Sequence, residues 1–126
     1  MRFTNSREGK RSTQAIGAEG EALARIFFED MGFEILQTNW RHRHQEIDII
    51  ATDGRVLHII EVKTQTSEHG GLPEESVNRK KLLNLMKAAE AYMQTDNRWS
   101  LLQFDILAVL WKNGVAELLW IEDIYL

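Results

Sequence analysis

The chain has 126 residues, 44% of them hydrophobic and 27% charged, with a formal net charge of −4; this suits one compact domain burying about two-thirds of its unfolded surface. With no cysteine, a disulfide framework, a thiolate zinc centre and a cysteine nucleophile are all excluded, and no apolar run reaches the roughly 18 residues of an ordinary membrane span. The start, Met1-Arg2-Phe3-Thr4-Asn5-Ser6, lacks the apolar stretch and small-residue cleavage site of a secretory signal, so a cytosolic location is expected.

Residues 1–14 show no periodicity and hold Arg2, Arg7, Lys10 and Arg11 against Glu8 alone. They read as a flexible basic arm, with 15–126 as a single domain. From Ala15 to Met31, Ile16, Leu23, Phe27 and Met31 recur at helical spacing, with Ala24 and Phe28 widening the stripe. Gly32 suits a left-handed cap. Phe33–Leu36 reads as a short strand, followed by a basic loop from Asn39 to His44 in which Arg41 and Arg43 alternate with His42 and His44.

Glu46–Ala51 and Val56–Lys63 are β-branched, apolar-rich runs around Thr52-Asp53-Gly54-Arg55, and Asp-Gly is a strong hairpin signal. After a polar loop with Gly70, Gly71 and Pro73, residues 76–94 are helical, with Val77, Leu82, Leu85, Met86, Ala89 and Met93 on one face. Residues 101–111 form a strand, and Lys112-Asn113-Gly114-Val115 turns into a partner over 116–121. The mixed order predicts an α/β sandwich with antiparallel hairpins and one helical crossover. No phosphate-binding glycine loop is present: Gly17-Ala18-Glu19-Gly20 has neither Walker nor dinucleotide spacing.

The first hairpin carries the chemistry. A two-residue turn at Asp53-Gly54 sets Asp48 opposite Ile59 and Glu46 opposite Glu61, so that Glu46, Asp48, Glu61 and Lys63 share a face. Gln65 joins them if the strand continues; a four-residue turn keeps the shared face, and an odd slip breaks it. Carboxylates set among Ile47, Ile49, Ile50, Ile59, Ile60 and Val62 are costly to desolvate without a compensating charge. A divalent cation supplies one, because Mg²⁺ takes hard oxygen ligands, commonly one or two protein carboxylates with water and substrate phosphate. Asp48, Glu61 and the Val62 carbonyl are the expected donors, with Lys63 placed to orient or help deprotonate an attacking water.

Each of these residues also has a plainer role: Asp48 as a hairpin cap, Glu61 with Lys63 as a same-face ion pair. Glu21 lies between Arg25 and the edge of the apolar stripe, which allows either a surface salt ladder with Arg25 and Glu29 or a lean toward the sheet. His42 and His44 lack an evident third zinc ligand, so a phosphate-contacting loop is the better reading. Trp40 can stack on a base or anchor against the first helix. His58, on the face away from Glu61, reads as a packed strand residue, and Trp99, Trp111 and Trp120 as core or edge aromatics.

Gly17-x-x-Gly20-Glu21, Asn39-Trp40-Arg41, Glu46-Ile47-Asp48, Glu61-Val62-Lys63-Thr64 and Phe104-Asp105 together resemble the YraN family of small bacterial proteins. That family is grouped with the restriction-endonuclease-like PD-(D/E)XK superfamily and is related to Holliday-junction resolvases. The resemblance spans residues 15–125. It implies an α/β fold, a restriction-endonuclease-like mixed sheet flanked by helices in the order αβββαββ. It further implies Asp48 and Glu61 as metal ligands, Lys63 as the catalytic lysine and Glu21 as an acid from the first helix.

Two positions depart from the family pattern: Gln45 stands where Gly usually precedes Glu-Ile-Asp, and Gln65 where Arg usually follows Val-Lys-Thr. Loss of that Arg removes a phosphate clamp. The expected activity is Mg²⁺- or Mn²⁺-dependent hydrolysis of phosphodiester bonds in DNA, including branched or repair intermediates. Arg41, Arg43, Gln65, Arg79, Lys80 and Lys81 are the expected nucleic-acid contacts. A noncatalytic nucleic-acid-binding or partner-binding module on the same scaffold is the alternative, and a homodimer is left open.

Overall fold

The computed structural model describes residues 2–4, 13–66 and 77–124. Its elements are β1 (Arg2–Thr4), α1 (Thr13–Asp30), β2 (Glu34–His42), β3 (Gln45–Thr52), β4 (Leu57–Gln65), α2 (Arg79–Thr95), β5 (Leu102–Lys112) and β6 (Val115–Ile121). From Thr13 onward the order is αβββαββ, as the family resemblance implies. The strands form one six-stranded mixed sheet in the order β1-β6-β5-β4-β3-β2. β4 and β5 are parallel, from Leu57↔Leu102 to Gln65↔Leu110, and α2 makes the crossover between them; the other pairs are antiparallel.

The two helices cover opposite faces. Leu85, Ala88, Ala89 and Tyr92 of α2 pack on Ile47, Ile50, Leu57 and Ile59, and Ala24 and Phe28 of α1 pack on Ile49, Ala51, Ile60 and Leu107. These Ile, Leu, Ala and aromatic side chains supply the apolar burial that holds the sheet between its helices. Helix α1 ends where Gly32, at φ 89°, caps it: the Gly32 amide donates to the Glu29 carbonyl at 3.0 Å and the Phe33 amide to the Phe28 carbonyl at 2.9 Å. Helix α2 starts at Asn78, whose side chain accepts from the Lys81 amide at 2.8 Å.

Several expectations change. The basic segment 39–42 is not loop: β2 continues through His42 and turns only at Arg43-His44. Its polar, two-sided exposure hides the strand, which lies at the sheet edge and needs no clean alternation. The first hairpin turns over residues 53–56, not on Asp53-Gly54 alone, with Thr52↔Leu57 closing the ladder. The Thr52 hydroxyl donates to the Val56 carbonyl at 2.8 Å and the Asp53 carboxylate accepts from the Arg55 and Val56 amides, each at 2.9 Å, which stabilises the wider turn. Asp48 is not opposite Ile59, because Ile59 pairs with Ile50 and the last paired position before Asp48 and Glu61 is Ile49↔Ile60.

Part of the expected flexible arm is a strand, because Arg2–Thr4 pair with Val115–Glu117 at the edge of β6; the rest, 5–12, lies outside the described residues, as do Gly70, Gly71, Pro73 and the expected helix start at 76. Met31 is 48% exposed and Met86 38% exposed, so neither belongs to the core stripe. Trp40 packs toward α2, edge-on to Tyr92 at 5.4 Å between ring centroids, and not against α1.

Candidate active site

The site begins where the first hairpin comes apart. Ladder pairing between β3 and β4 runs from Thr52↔Leu57 to Ile49↔Ile60 and stops, although β3 begins at Gln45 and β4 ends at Gln65. Strand alternation also breaks here: Ile47 and Ile50 both face α2, whereas Ile49 faces α1. Between them lies Asp48, and across the β2–β3 ladder, flanked by Thr38↔Ile49 and Trp40↔Ile47, lies Asn39 at φ 51°. Asp48 fills the fork, its Oδ2 accepting the Val62 amide at 2.8 Å in place of a cross-strand carbonyl.

Three carboxylates, Glu21, Glu46 and Asp48, each present an oxygen within 4.8 Å of the others. Glu21 comes from α1, and what lets the helix approach so closely is Gly20: a Cβ there would overlap Thr64 Oγ1 on β4. The two motifs Gly-Glu and Lys-Thr are therefore one packing contact, which settles the orientation of Glu21 toward the sheet; Arg25 pairs with Glu29 at 2.9 Å without it. The Asn39 amide bridges the cluster, donating to Glu21 Oε2 at 3.2 Å and Glu46 Oε1 at 3.1 Å.

Glu61 stands beside this trio and is paired with Lys81 Nζ at 2.7 Å. The Asn78 cap that begins α2 places Lys81 in its first turn and so sets that cation at the mouth of the site. A cleft of about 470 Å³ is lined by Glu21, Glu61, Val62, Lys63, Thr64 and Lys81, with Ile16, Gly17 and Thr66 completing its wall.

Crowding of like charge in a half-buried fork has the expected electrostatic result. Burial, then the neighbouring Glu61 charge, pushes the Asp48 carboxyl up to about 7; the Val62 amide opposes this, and Glu21 and Glu46 add to it. Glu21 is raised as well, by burial first and then by Glu46 and Glu61. Lys81 and Arg41 offset the charge of Glu61 and Glu46, but Asp48 and Glu21 have no cationic partner among the described residues; such hard oxygen donors chemically suit a small divalent cation such as Mg²⁺ or Mn²⁺, with Asp48, Glu61, Glu21 and Glu46 as the available carboxylates.

Of the residues expected from the sequence, Glu21, Asp48, Glu61, Val62 and Lys63 converge. Lys81, expected as a nucleic-acid contact, joins them as the ion partner of Glu61. Arg41 is likewise engaged, with Glu46 at 2.8 Å. Arg43 lies at a separate cavity with His42 and His44. Arg79 and Lys80 stand exposed in the first turn of α2 and line neither cavity, and Gln65 ends β4 beyond the fork. Sequence reasoning missed Glu46 as a member of the acid trio and Asn39 as its bridge. Glu46 had a signal, its same-face spacing from Asp48; Asn39 had only its place before Trp40.

His58 is a packed strand residue as expected, with a partner the sequence did not name: its Nδ1 lies 2.7 Å from Asp105 Oδ2, both buried. Asp105 Oδ1 accepts from Gln103 Nε2 and the Asp123 amide, each at 2.9 Å. This explains the Phe104-Asp105 motif as structural.

Comparison with known proteins agrees with the motif reading. Residues 20–109 match the model of a family described as uncharacterised protein family UPF0102. A UPF0102 protein of Chlorobaculum parvum is 46% identical over 98 residues, 77% of this chain and 76% of that one. A UPF0102 protein of Caldicellulosiruptor bescii is 42% identical over 115 residues, 87% of this chain and 96% of that one. One from Nocardia farcinica is 38% identical over 102 residues, 80% of each. With the matched region holding Gly20-Glu21, Asn39-Trp40-Arg41, Glu46-Ile47-Asp48 and Glu61-Val62-Lys63-Thr64, the chain belongs to the UPF0102, or YraN, family.

Proposed function

We propose that the forked end of the β3–β4 hairpin is the active site of a metal-dependent nuclease that hydrolyses phosphodiester bonds in DNA. The observation that carries this reading is Asp48 in the fork, its carboxyl raised among Glu21, Glu46 and Glu61, with Lys63 lining the adjoining cleft. Mg²⁺ or Mn²⁺ held by Asp48 and Glu61, with Glu21 and Glu46 beside them, would supply charge stabilisation at the scissile phosphate and a lowered pKa for bound water. The chain's own residues orient the reaction. Lys63 holds the water that forms the new P–O bond, while the P–O bond to one sugar oxygen breaks and that oxygen takes up a proton. The Val62 amide fixes one Asp48 oxygen at 2.8 Å and so holds the carboxyl in the fork beside Glu21 and Glu46.

Two observations favour the noncatalytic alternative, in which the scaffold binds nucleic acid or a partner without turnover. Lys81 already neutralises Glu61 at 2.7 Å, and Gln65 stands where the family's arginine would clamp phosphate. The deciding experiment is a cleavage panel of duplex, single-stranded, flap and four-way DNA with Mg²⁺ or Mn²⁺. The nuclease reading expects wild-type cleavage that falls by about 100-fold or more in Asp48→Ala and Lys63→Ala with DNA affinity largely kept. No cleavage of any substrate by the wild-type protein, or cleavage equal in Asp48→Ala, overturns it.

A further inference from the structure

The second cavity, about 390 Å³, is lined by His42, Arg43, His44 and Gln45 of the β2–β3 turn and by Asn84 and Lys87 of α2. Its lining contains no carboxylate. This contrasts with the acidic cleft and with Arg25, Arg41, Lys81 and Arg98, each of which has a carboxylate partner. Among the described residues, Arg43 and Lys87 have none. Two unneutralised cations from different elements thus face one concavity together with two imidazoles and two amide side chains, all capable of donating to an anion.

The turn is built to hold that arrangement. Arg43 sits at φ 57°, a conformation that costs a non-glycine residue on the order of 1 kcal/mol and that glycine or asparagine would adopt more readily. His42 is stacked on Trp40, with ring centroids 6.2 Å apart and planes 6° from parallel, and Trp40 is itself seated on Tyr92. The basic face of the turn is therefore braced against α2 from below.

Its position relates it to the acids. Gln45 immediately precedes Glu46, and Asn84 lies one helical turn beyond Lys81, the partner of Glu61. At 1.5 Å per residue, Lys87 is about 9 Å along α2 from Lys81. With a rise of about 3.4 Å per nucleotide, that is the reach of roughly two to three nucleotides. A polyanion is repelled by four clustered carboxylates unless positive charge lies nearby, and Arg41 and Lys81 are already committed to Glu46 and Glu61.

We propose that this cavity binds backbone phosphates of a nucleic-acid strand adjacent to the bond held at the acidic site, with Arg43 and Lys87 as the principal contacts. The proposal rests on the nuclease reading for the strand's course but not for its binding, which can be measured without turnover.

The test is fluorescence anisotropy of a labelled DNA oligonucleotide with the full chain in chelator, so that no cleavage intervenes, from 50 to 200 mM salt. Arg43→Ala/Lys87→Ala is compared with wild type and with Arg55→Ala, an exposed cation at the opposite end of β3; circular dichroism checks the fold of each. The double variant is expected to bind more weakly and to lower the slope of log affinity against log salt by about two, whereas Arg43→Lys/Lys87→Arg retains most of it. A slope in the double variant equal to that of Arg55→Ala overturns the proposal, as does a wild-type protein that binds no DNA or binds polyglutamate equally well. A slope that responds to Arg43 and Lys87 while the wild-type protein cleaves nothing keeps this site and removes the nuclease reading. Cleavage lost in Asp48→Ala with an unmoved slope removes this site alone.

Discussion

The two ends of β4 treat buried acids in opposite ways. In the first half, Leu57–Ile60 are buried and laddered on both sides, and the neighbouring acid, Asp105, is satisfied at both oxygens by His58, Gln103 and the Asp123 amide. In the second half the strand leaves β3, its residues are half-buried, and Asp48 receives a single backbone donor while facing three other carboxylates. The first acid holds the fold together. The second is kept at a cost to it, and a polar group that burial leaves under-compensated is where a ligand has something to contribute.

Breaking the satisfied end should have the largest effect. Asp105→Ala leaves His58 Nδ1, the Gln103 amide and the Asp123 amide without their acceptor, and is expected to cost about 3 kcal/mol or more in urea unfolding at neutral pH. A loss below about 1 kcal/mol would remove the distinction between the two acids. Gly20→Ala comes next, because its Cβ overlaps Thr64 Oγ1; it should cost about 1–3 kcal/mol, and Thr64→Ala should recover part of that in a double-mutant cycle. Additive losses would mean that α1 and β4 do not meet at this pair.

The smallest effect should carry the opposite sign. Asp48 holds its proton to about pH 7 in the folded chain against 3.8 as the ordinary value. Its protonated form therefore contributes stability that is full below about pH 4 and lost as pH rises through about 7. In chelator, Asp48→Asn should be more stable than wild type at pH 8 by on the order of 1 kcal/mol, with the gap closing toward pH 4. Melting temperatures of the two proteins across that range check this; parallel curves would contradict it.

Much of this contrast could be read from the chain because it is local. The Asp-Gly turn, the shared face of Asp48 and Glu61 and the Gly32 cap depend on residues close in sequence. The site's completion does not. Lys81 reaches Glu61 only through the crossover, Asn39 reaches Glu21 only after α1 is seated on Gly20, and the trio depends on a broken alternation that no periodic pattern encodes. The same physics hid the second half of β2: an edge strand with solvent on both sides has no need of the apolar alternation by which strands are recognised. It also kept Arg2–Thr4 out of view, since three residues borrow their pairing from β6.

The irregular course of β2 has a further effect at the sheet's boundary. With β1 covering β6, β2 is the other outer strand of the sheet. An outer strand with a regular run of free amides and carbonyls is a template for aggregation. Here the register shifts between Ile35 and Gln37, Asn39 turns to a left-handed conformation, and Glu34 and Arg41 place charge along the same edge. The residue that gathers the acids thus also interrupts the surface on which another chain could add a strand, so replacing Asn39 with a regular β-former would straighten that edge and trade solubility for regularity.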